Sequence, residues 1–322
     1  MEENVLKTCI FLGAGASSAD GAPLQKEIIK QNSIIDKLNL KKYMEIVFMI
    51  DINHISQNSM PSFEELLGML DISISNRLTF KNFSHNEIIL ARNELIETLA
   101  VVIKENLDNV NQNIHFNLIE KLDQTQQNDI FFISTNYDIL IDNALLRNNY
   151  KPLYGFQYQS NQSSENKIRL YKLHGSLNWL HCPCCNSIKV TEFIKCATEV
   201  FRRDIRCTNC GGVYEPIIIP PTYFKDYENT YLKKVWFNAE KKLQKTERII
   251  FCGYSFSDAD MQIKYLIKKA SLMIGLKEVL VFNKSLNCET ENRYKRFFGE
   301  NIVQYLNLSF QDFCENPHTW LR

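Results

Sequence analysis

The sequence lacks a net charge, since 37 lysines and arginines balance 37 aspartates and glutamates over 322 residues. This balance gives no electrostatic reason to expect strong nonspecific binding to nucleic acid or to an anionic membrane. The sequence also lacks a long apolar run, because none approaches the ~20 residues that a membrane-spanning helix needs. The acidic N-terminus, MEENVLK, leads directly into a strand-like run and does not look like a signal peptide. We therefore expect a cytoplasmic protein that contacts neither membrane nor nucleic acid directly.

Internal repeats, low-complexity tracts and obvious linkers are also absent from the sequence. The hydrophobic fraction of 45% is that of an ordinary globular protein with enough material for a core. Short β-rich runs alternate with helical runs, which is typical of α/β proteins with a parallel sheet. The strand-like runs are KTCIFLG, NDIFFIST, NKIRLYKLHG, EPIIIP, ERIIFCG and KEVLVFN. We predict an α/β fold with a doubly wound, Rossmann-like parallel sheet.

Two segments interrupt this alternation. Helical periodicity dominates residues 24–124, where SFEELLGMLDIS begins with a serine suited to cap a helix. Residues 181–214 are rich in cysteine, weakly periodic and mixed in charge. We interpret the chain as one catalytic domain, residues 1–322, with a helical insertion at 24–124 and a small zinc-ribbon module at 181–214.

Three glycines fall within FLGAGASSADGAP, directly after the first predicted strand. In a doubly wound fold, ligands bind beyond the carboxyl ends of the strands, and glycine lets the backbone turn there and approach a pyrophosphate. Ser17 and Ser18 add hydroxyl donors. The spacing is not G-x-G-x-x-G, because Ser18 occupies the third position, and it is not a Walker loop. The motif alone leaves two interpretations open, a phosphate-binding loop and a tight strand-to-helix turn.

Six of the ten cysteines lie between residues 182 and 210. They include two C-x-x-C pairs, Cys182 with Cys185 and Cys207 with Cys210, which are separated by 21 residues. In a reducing compartment, clustered cysteines indicate a metal more often than disulfides. Four thiolates at tetrahedral corners suit a structural Zn²⁺ ion, and we expect Cys184 to point away from it. The alternative is a set of unligated thiols.

Two polar residues, Asn136 and His174, each follow a predicted core strand. In this architecture the strand ends line the ligand crevice, so a polar side chain there must be solvated, paired or used. Asn136 has a competing interpretation as the cap of the next helix, and His174 has one as a purely structural histidine.

Several motifs together resemble those of the sirtuin family. GAGASSADGAP is similar to the sirtuin motif G-A-G-I-S-x-x-S-G-I-P, STNYD to T-Q-N-I-D, and KLHGS to the histidine-glycine of the family. The paired cysteines come next, followed by GYSFSDAD, which resembles the G-T-S segment, and VFN, which resembles the I-N strand end. The residues that match in the first motif are Gly13, Ala14, Gly15, Ser17, Gly21 and Pro23. The motifs occur in the family's order and span residues 11 to 283.

The resemblance implies a function for each matched position. His174 would be the general base, Asn136 would orient water or the ribose, and Asp138 would hold the nicotinamide carboxamide. Zinc would be structural, and NAD⁺ would be the substrate. The remaining positions implied to bind NAD⁺ are Gly13, Ala14, Gly15, Ser17, Gly253, Ser255 and Asn283. A histidine suits this chemistry because its usual pKa of ~6.5 lets it accept a proton at neutral pH.

Two departures from classical sirtuins weaken the deacetylase interpretation. The chain has APLQKEI where the family continues as I-P-D-F-R. It has EPIIIPPTYF where deacetylases have a strand that runs into F-G-E and pairs its backbone with the acetylated peptide. Pro220 and Pro221 lack an N–H group, so this edge loses donors for pairing with a peptide strand. We therefore predict an NAD⁺ glycohydrolase in which water accepts the ribosyl group. The alternative is an NAD-dependent protein deacylase or ADP-ribosyltransferase.

The segment SFEELLGMLD resembles one found in sirtuin-like NAD-depleting effectors of bacterial anti-phage defence. Such effectors commonly act with an ATPase or a nucleic-acid sensor, so we expect a homo-oligomer that acts with a separate partner protein of this kind. Two further interpretations stay open, a non-enzymatic nucleotide sensor and a DNA-binding zinc ribbon. The basic residues that favour the ribbon are Lys189, Lys195, Arg202, Arg203 and Arg206.

Overall fold

The computed structural model describes residues 6–52, 54, 60–80, 82–108, 113–123, 130–159, 166–192, 205–219, 229–284 and 288–321. Its strands are β1 (Thr8–Leu12), β2 (Ile130–Ser134), β3 (Lys151–Leu153), β4 (Lys167–Lys172), β5 (Gly175–His181), β6 (Ile188–Val190), β7 (Glu215–Ile218), β8 (Arg248–Cys252), β9 (Glu278–Phe282) and β10 (Val303–Leu306). Seven of them form one parallel sheet in the order β10-β9-β8-β1-β2-β4-β3. The predicted Rossmann-like α/β fold is therefore confirmed.

The helices pack around this sheet and above its carboxyl edge. They are α1 (Ala14–Ala19), α2 (Gln25–Ile28), α3 (Gln31–Ile34), α4 (Leu38–Val47), α5 (Phe63–Ser75), α6 (His85–Asp108), α7 (Ile114–Asp123), α8 (Leu140–Arg147), α9 (Thr230–Leu243), α10 (Met261–Ile274), α11 (Cys288–Phe298), α12 (Phe310–Glu315) and α13 (Pro317–Leu321). Helix α9 shows how the sequence sets them: the Asn229 side chain accepts from two backbone N–H groups of the first turn. Its buried stripe is Leu232, Val235, Ala239 and Leu243. In the described residues, no helix combines the length and apolarity that a membrane span requires.

The central strands are mostly apolar because both faces of the sheet are covered. All five residues of β1 are buried, and so are all five of β8. This burial explains why the runs KTCIFLG and ERIIFCG are uninterrupted rather than alternating.

A second sheet of three antiparallel strands, in the order β6-β5-β7, carries the cysteine-rich segment. The run EPIIIP forms β7, but it pairs with β5 in this small sheet instead of joining the parallel one. The chain passes between the sheets at Leu173 and His174, and Gly175 then turns it with a φ of +84°. A side chain at Gly175 would overlap the backbone of Ile217, so the close strand approach requires glycine.

Helices α4, α5 and α6 form a helical block whose hydrophobic core is shared with the small sheet. Side chains of α4, α5 and α6 pack together with Leu177, Leu180 and Ile218 of the small sheet, whereas α7 packs into the core of the main sheet. We propose that residues 1–322 form one catalytic domain, with a helical insertion at 24–124 and a zinc-ribbon module at 181–214.

The turn after β1 lies directly against the turn after β8. Gly13 N donates to Cys252 O at 3.0 Å, and Gly15 N donates to Gly253 O at 2.8 Å. A Cβ atom on Gly13 would lie 2.6 Å from Gly253 O, and one on Gly15 would lie 2.8 Å from the Cα of Gly253. Gly253 has a φ of +61°, and its own Cβ would overlap the backbone N of Ala16. Backbone therefore packs on backbone here, which only glycine permits.

We expect Gly253→Ala to lower the free energy of unfolding much more than Gly275→Ala. Both positions have positive φ, but nothing lies within 4 Å of a Cβ at Gly275. The difference between the two losses of unfolding free energy gives the cost of the overlap with α1, which we expect to be about 1–3 kcal/mol. Urea denaturation of both variants measures it. Equal losses would show that backbone strain alone matters at this turn.

Candidate active site

Six strands of the main sheet end level with one another. Their last residues form one row of register partners: Lys172, Ser134, Leu12, Cys252, Phe282 and Leu306. Ligands of doubly wound folds bind beyond this carboxyl edge. The predicted site residues Gly13, Asn136, His174, Gly253 and Asn283 follow their strand ends by one or two positions. The sheet register therefore brings together residues that are far apart in the sequence.

A cavity of about 1080 Å³ opens at this edge. Small-molecule pockets commonly enclose ~300–1,000 Å³, so the cavity is large enough for a dinucleotide. The predicted residues that line it are Ala14, Gly15, Ser17, Asn136, Asp138, His174, Gly253, Ser255 and Asn283. Gly13 does not line the cavity and is buried behind its wall. The role of Gly13 in this structure is backbone packing and hydrogen bonding.

Asn136 is held by its amide nitrogen. Its Nδ2 donates to Gly13 O at 2.9 Å and to Ser17 Oγ at 2.7 Å. Because Gly13 O is a carbonyl and can only accept, this side of the carboxamide must be the nitrogen. The carboxamide oxygen is then left to accept a hydrogen bond from a ligand or a water molecule. Asn136 does not cap the following helix, which begins at Leu140.

Ser17 links Asn136 to Asp138. Its hydroxyl accepts from Asn136 and donates to Asp138 Oδ2 at 2.6 Å, and both Ser17 and Asp138 are buried. The other carboxylate oxygen of Asp138 accepts from the Leu140 backbone N–H at 3.0 Å. This bond closes a local turn just before α8. A ligand carboxamide would therefore share oxygens of Asp138 that already accept hydrogen bonds.

A fully buried ion pair supports this loop from behind. Lys172 Nζ lies 3.0 Å from Asp142 Oδ2 and donates to Ser176 Oγ at 2.6 Å and to the backbone carbonyl of Asp138. The second oxygen of Asp142 accepts from the Tyr154 hydroxyl at 2.6 Å. Breaking a buried pair of this kind leaves an uncompensated charge, so the network fixes the loop between β2 and α8.

His174 is buried, with its two ring nitrogens in different surroundings. Nδ1 lies 3.1 Å from the carbonyl oxygen of Thr135, which makes Nδ1 the protonated nitrogen. Nε2 lies 3.7 Å from Oδ1 of Asp260, whose Oδ2 accepts from the Tyr254 hydroxyl at 2.8 Å. Nε2 can therefore take up a proton, and the Asp260 carboxylate would stabilise the resulting imidazolium.

Glu64, in the first turn of α5, lines the same cavity. Burial raises the pKa of Glu64 to about 7, its own backbone N–H opposes the shift, and the charge of Asp260 adds to it. Its Oε1 is buried and has no hydrogen-bond partner among the residues that the structure describes. Burial and the charges of Glu64, Asp260 and Asp71 likewise raise the pKa of Tyr137. Glu64 and Asp260 thus place two carboxylates in the wall of the cavity that His174 also lines.

The two cysteine pairs form two turns with the same hydrogen bonds. Asn186 N and Gly211 N, four residues after the first cysteine of each pair, donate to the carbonyls of Cys182 and Cys207 at 2.9 and 2.8 Å. Both donors have positive φ, +56° and +74°. The turns bring the Sγ atoms of Cys182, Cys185, Cys207 and Cys210 within 4.8 Å of one another.

This cluster fits a tetrahedral zinc ion. Sγ of Cys182 lies 3.4 Å from that of Cys210, and Sγ of Cys185 lies 3.5 Å from that of Cys207. A Zn–S bond of ~2.3 Å would place the sulfurs of a tetrahedral site ~3.8 Å apart, so small adjustments suffice. Cys184 is exposed and does not belong to the four-thiol cluster. Of the basic residues noted nearby, Lys195, Arg202 and Arg203 lie outside the described residues.

A doubly wound parallel sheet, a dinucleotide-sized cavity at its carboxyl edge and a four-cysteine module define the class as a Rossmann-like α/β protein with a cysteine cluster that could hold a metal ion. Residues 130–303, more than half of the chain, match the family model of the SIR2-like domain. The chain therefore belongs to the SIR2-like domain family of NAD-dependent enzymes. This confirms the resemblance to sirtuins.

Solved sirtuin structures share the fold at low sequence identity. A Sir2 homolog in complex with NAD is 15% identical, with a TM-score of 0.54 over 98% of this chain and 91% of that one. A complex of Sir2 with a p53 peptide and NAD⁺ is 14% identical, with a TM-score of 0.49 over 99% of this chain and 95% of that one. The comparison with curated proteins gave no match.

Three residues of the site were not predicted from the sequence: Glu64, Tyr137 and Asp260. Each lies in a quoted motif, SFEELLGMLD, STNYD or GYSFSDAD. For Asp260, two acidic residues just beyond a strand end were an available signal, because this position faces the crevice. For Glu64 the sequence shows only an acidic residue in the first turn of a helix. Such residues usually lie at the surface, where they interact favourably with the helix dipole.

We expect Cys207→Ser to lose zinc and to lower the melting temperature, because three thiolates leave the metal site open. Metal analysis of the purified variant, followed by thermal unfolding with and without a chelator, measures both effects. Cys288→Ser is the matched control, since Cys288 is exposed and lies outside the four-thiol cluster. Retention of a full zinc equivalent by Cys207→Ser would contradict the assignment.

We also expect Glu64→Gln to change how stability depends on pH. The pKa of Glu64 is raised from 4.5 to about 7, so the wild type loses the corresponding stability as pH rises through this window. The variant lacks this loss and should gain up to about 3 kcal/mol over the wild type by pH 8. Urea denaturation at pH 4.5 and pH 8 tests this, with the exposed Glu65→Gln as control. A pH-independent difference would rule out a neutral buried Glu64.

Proposed function

We propose that this protein is an NAD⁺ glycohydrolase that cleaves NAD⁺ to nicotinamide and ADP-ribose. The observation that carries the proposal is the convergence of Asn136 and His174 on one dinucleotide-sized cavity at the carboxyl edge of the sheet. The NAD complex of the Sir2 homolog, whose fold this chain shares, supports NAD⁺ as the ligand. The proposed nucleotide-binding residues are Ala14, Gly15, Ser17, Asp138, Gly253, Ser255 and Asn283, and Gly13 would support them through its backbone contacts.

The chemistry requires a positioned sugar and an activated water. Cleavage of the N-glycosidic bond passes through an oxocarbenium-like ribose, and nicotinamide leaves as a neutral molecule without protonation. Asn136 offers a carboxamide oxygen fixed by two hydrogen bonds, which can hold the attacking water. His174 Nε2 accepts the proton of that water, because Nδ1 is committed to the Thr135 carbonyl.

Water is favoured over a peptide as the acceptor by the backbone before Pro220. Ile219 N donates to His174 O at 2.9 Å, and Ile219 O accepts from the Tyr137 hydroxyl at 3.0 Å. Ile218 O accepts from Arg92 at 3.2 Å. The N–H group of Ile219 is therefore not available to pair with an added peptide strand, and both carbonyls already accept a hydrogen bond. Pro220 and Pro221 themselves lie outside the described residues.

We further propose that the zinc ion is structural and that the enzyme is a cytoplasmic effector of bacterial anti-phage defence. It would act as a homo-oligomer with a separate ATPase or nucleic-acid-sensing protein. The resemblance of SFEELLGMLD to a segment of such effectors supports this role, and α5, which contains most of that segment, lines the cavity.

Purified protein, alone and with candidate partners, should release nicotinamide from NAD⁺ without any peptide. His174→Ala should lower kcat by ~10²–10⁴-fold because it removes the proton acceptor. Asn136→Ala should also lower kcat, and His54→Ala is the control, since the His54 side chain is 83% exposed. Chromatography of the products measures all three.

Two results would overturn the proposal. Full turnover by His174→Ala would show that the assigned base is wrong. A requirement for acetylated peptide, with O-acetyl-ADP-ribose as product, would favour a deacylase.

A further inference from the structure

We propose that Glu64 is a further catalytic residue of this site, whose carboxylate stabilises the positive charge of the nicotinamide ring and of the reacting ribose. The proposal rests on the glycohydrolase function argued above. The proposal adds a carboxylate from helix α5 to the site residues that follow the strand ends.

The position of Glu64 is fixed by its neighbours in the helix. Ser62 caps α5 by accepting from Glu65 N at 3.1 Å, and Phe63 is fully buried. The Phe63 ring meets the Tyr137 ring edge-on at 5.8 Å, and the Tyr137 ring in turn lies 6.1 Å from the imidazole of His174. Successive ring contacts thus join the start of α5 to His174.

The polar surroundings of Glu64 leave its charge unbalanced. Its buried Oε1 has no hydrogen-bond partner in the described part of the chain. The charge of Asp260 acts on it, while Asp71 on the same helix is paired with Arg92 at 2.5 Å. The other titratable side chains in the cavity wall include Glu27, Tyr137, Asp138, His174 and Lys284.

A cationic ligand would relieve this imbalance. A carboxylate with a buried oxygen that lacks a hydrogen-bond partner is costly, and a second carboxylate nearby raises the cost. NAD⁺ carries its positive charge on the nicotinamide ring, and that charge moves to the ribose as the bond breaks. A carboxylate already in place where positive charge develops lowers the barrier without reorganisation. A purely structural Glu64 would instead show no preference for a cationic ring over a neutral one.

The reaction step balances without a proton on Glu64. The bond between the anomeric carbon and the nicotinamide nitrogen breaks, and its electron pair leaves with nicotinamide, whose ring becomes neutral. A water oxygen forms the new bond to that carbon, and the proton from water goes to His174. Glu64 stays ionised and contributes only its charge.

A measurement of NAD⁺ binding tests the role of Glu64 separately from the glycohydrolase function. In a His174→Ala background, in which we expect turnover to be slow, calorimetry at pH 8 compares NAD⁺ with NADH, whose ring is uncharged. We expect Glu64→Gln to reduce the preference for NAD⁺ about tenfold, which corresponds to ~1.4 kcal/mol. Glu65→Gln, on the exposed side of the same turn, should leave the preference unchanged. An unchanged preference in Glu64→Gln would overturn the proposal.

Kinetics give the second readout. Wild-type kcat/KM should fall as pH drops through about 7, where Glu64 becomes protonated. Glu64→Gln should lower kcat by ~10²–10³-fold and remove one ionisation from the acidic limb, while Glu64→Asp should restore part of the rate. Full activity of Glu64→Gln would refute the catalytic role of Glu64 and leave the glycohydrolase function intact. The absence of nicotinamide release by the wild type in every assembly would refute the glycohydrolase function itself.

Discussion

The site depends on the contact between the glycine turn after β1 and the turn after β8. The sheet register sets Leu12 level with Ser134 and Cys252, so the three following loops start from one line. Because Gly13, Gly15 and Gly253 have no side chains, these loops pack backbone on backbone. That contact places Gly13 O where Asn136 can bond to it. Any side chain in the contact would separate α1 from the β8 turn and open the wall of the cavity.

Two polar networks then hold the loop between β2 and α8 from opposite sides. On the cavity side, Asn136, Ser17 and Asp138 form a chain of hydrogen bonds. Behind it, Lys172 supports the carbonyl of Asp138 and pairs with Asp142. A loop fixed on both sides presents the Asn136 oxygen in one orientation, which is the preorganisation that a positioned water needs.

The sequence predicts those parts of the fold that local pattern determines. The strands β1, β2, β8 and β9 are continuous apolar runs, and the C-x-x-C pairs form the four-thiol cluster that their spacing indicates. The sheet to which β7 belongs could not be predicted, because strand pairing is set by tertiary contacts such as the fit of Gly175 against Ile217. Glu64 was missed for the same reason: nothing local to an acidic first turn shows that α5 lies over the catalytic cavity.

In the proposed mechanism, the helical block contributes to the chemistry as well as to packing. Its core is shared with the small sheet, and through Phe63 and Tyr137 it contacts the ring of His174. The same turn of α5 carries Glu64, so a displacement of this helix would change the surroundings of the base and remove the carboxylate from the ribose together. A partner protein that binds the helical block could thus control turnover without touching the nucleotide. This coupling gives the proposed dependence on assembly a physical basis, because the charge and the base would be aligned in one conformation of α5 and lost together in another.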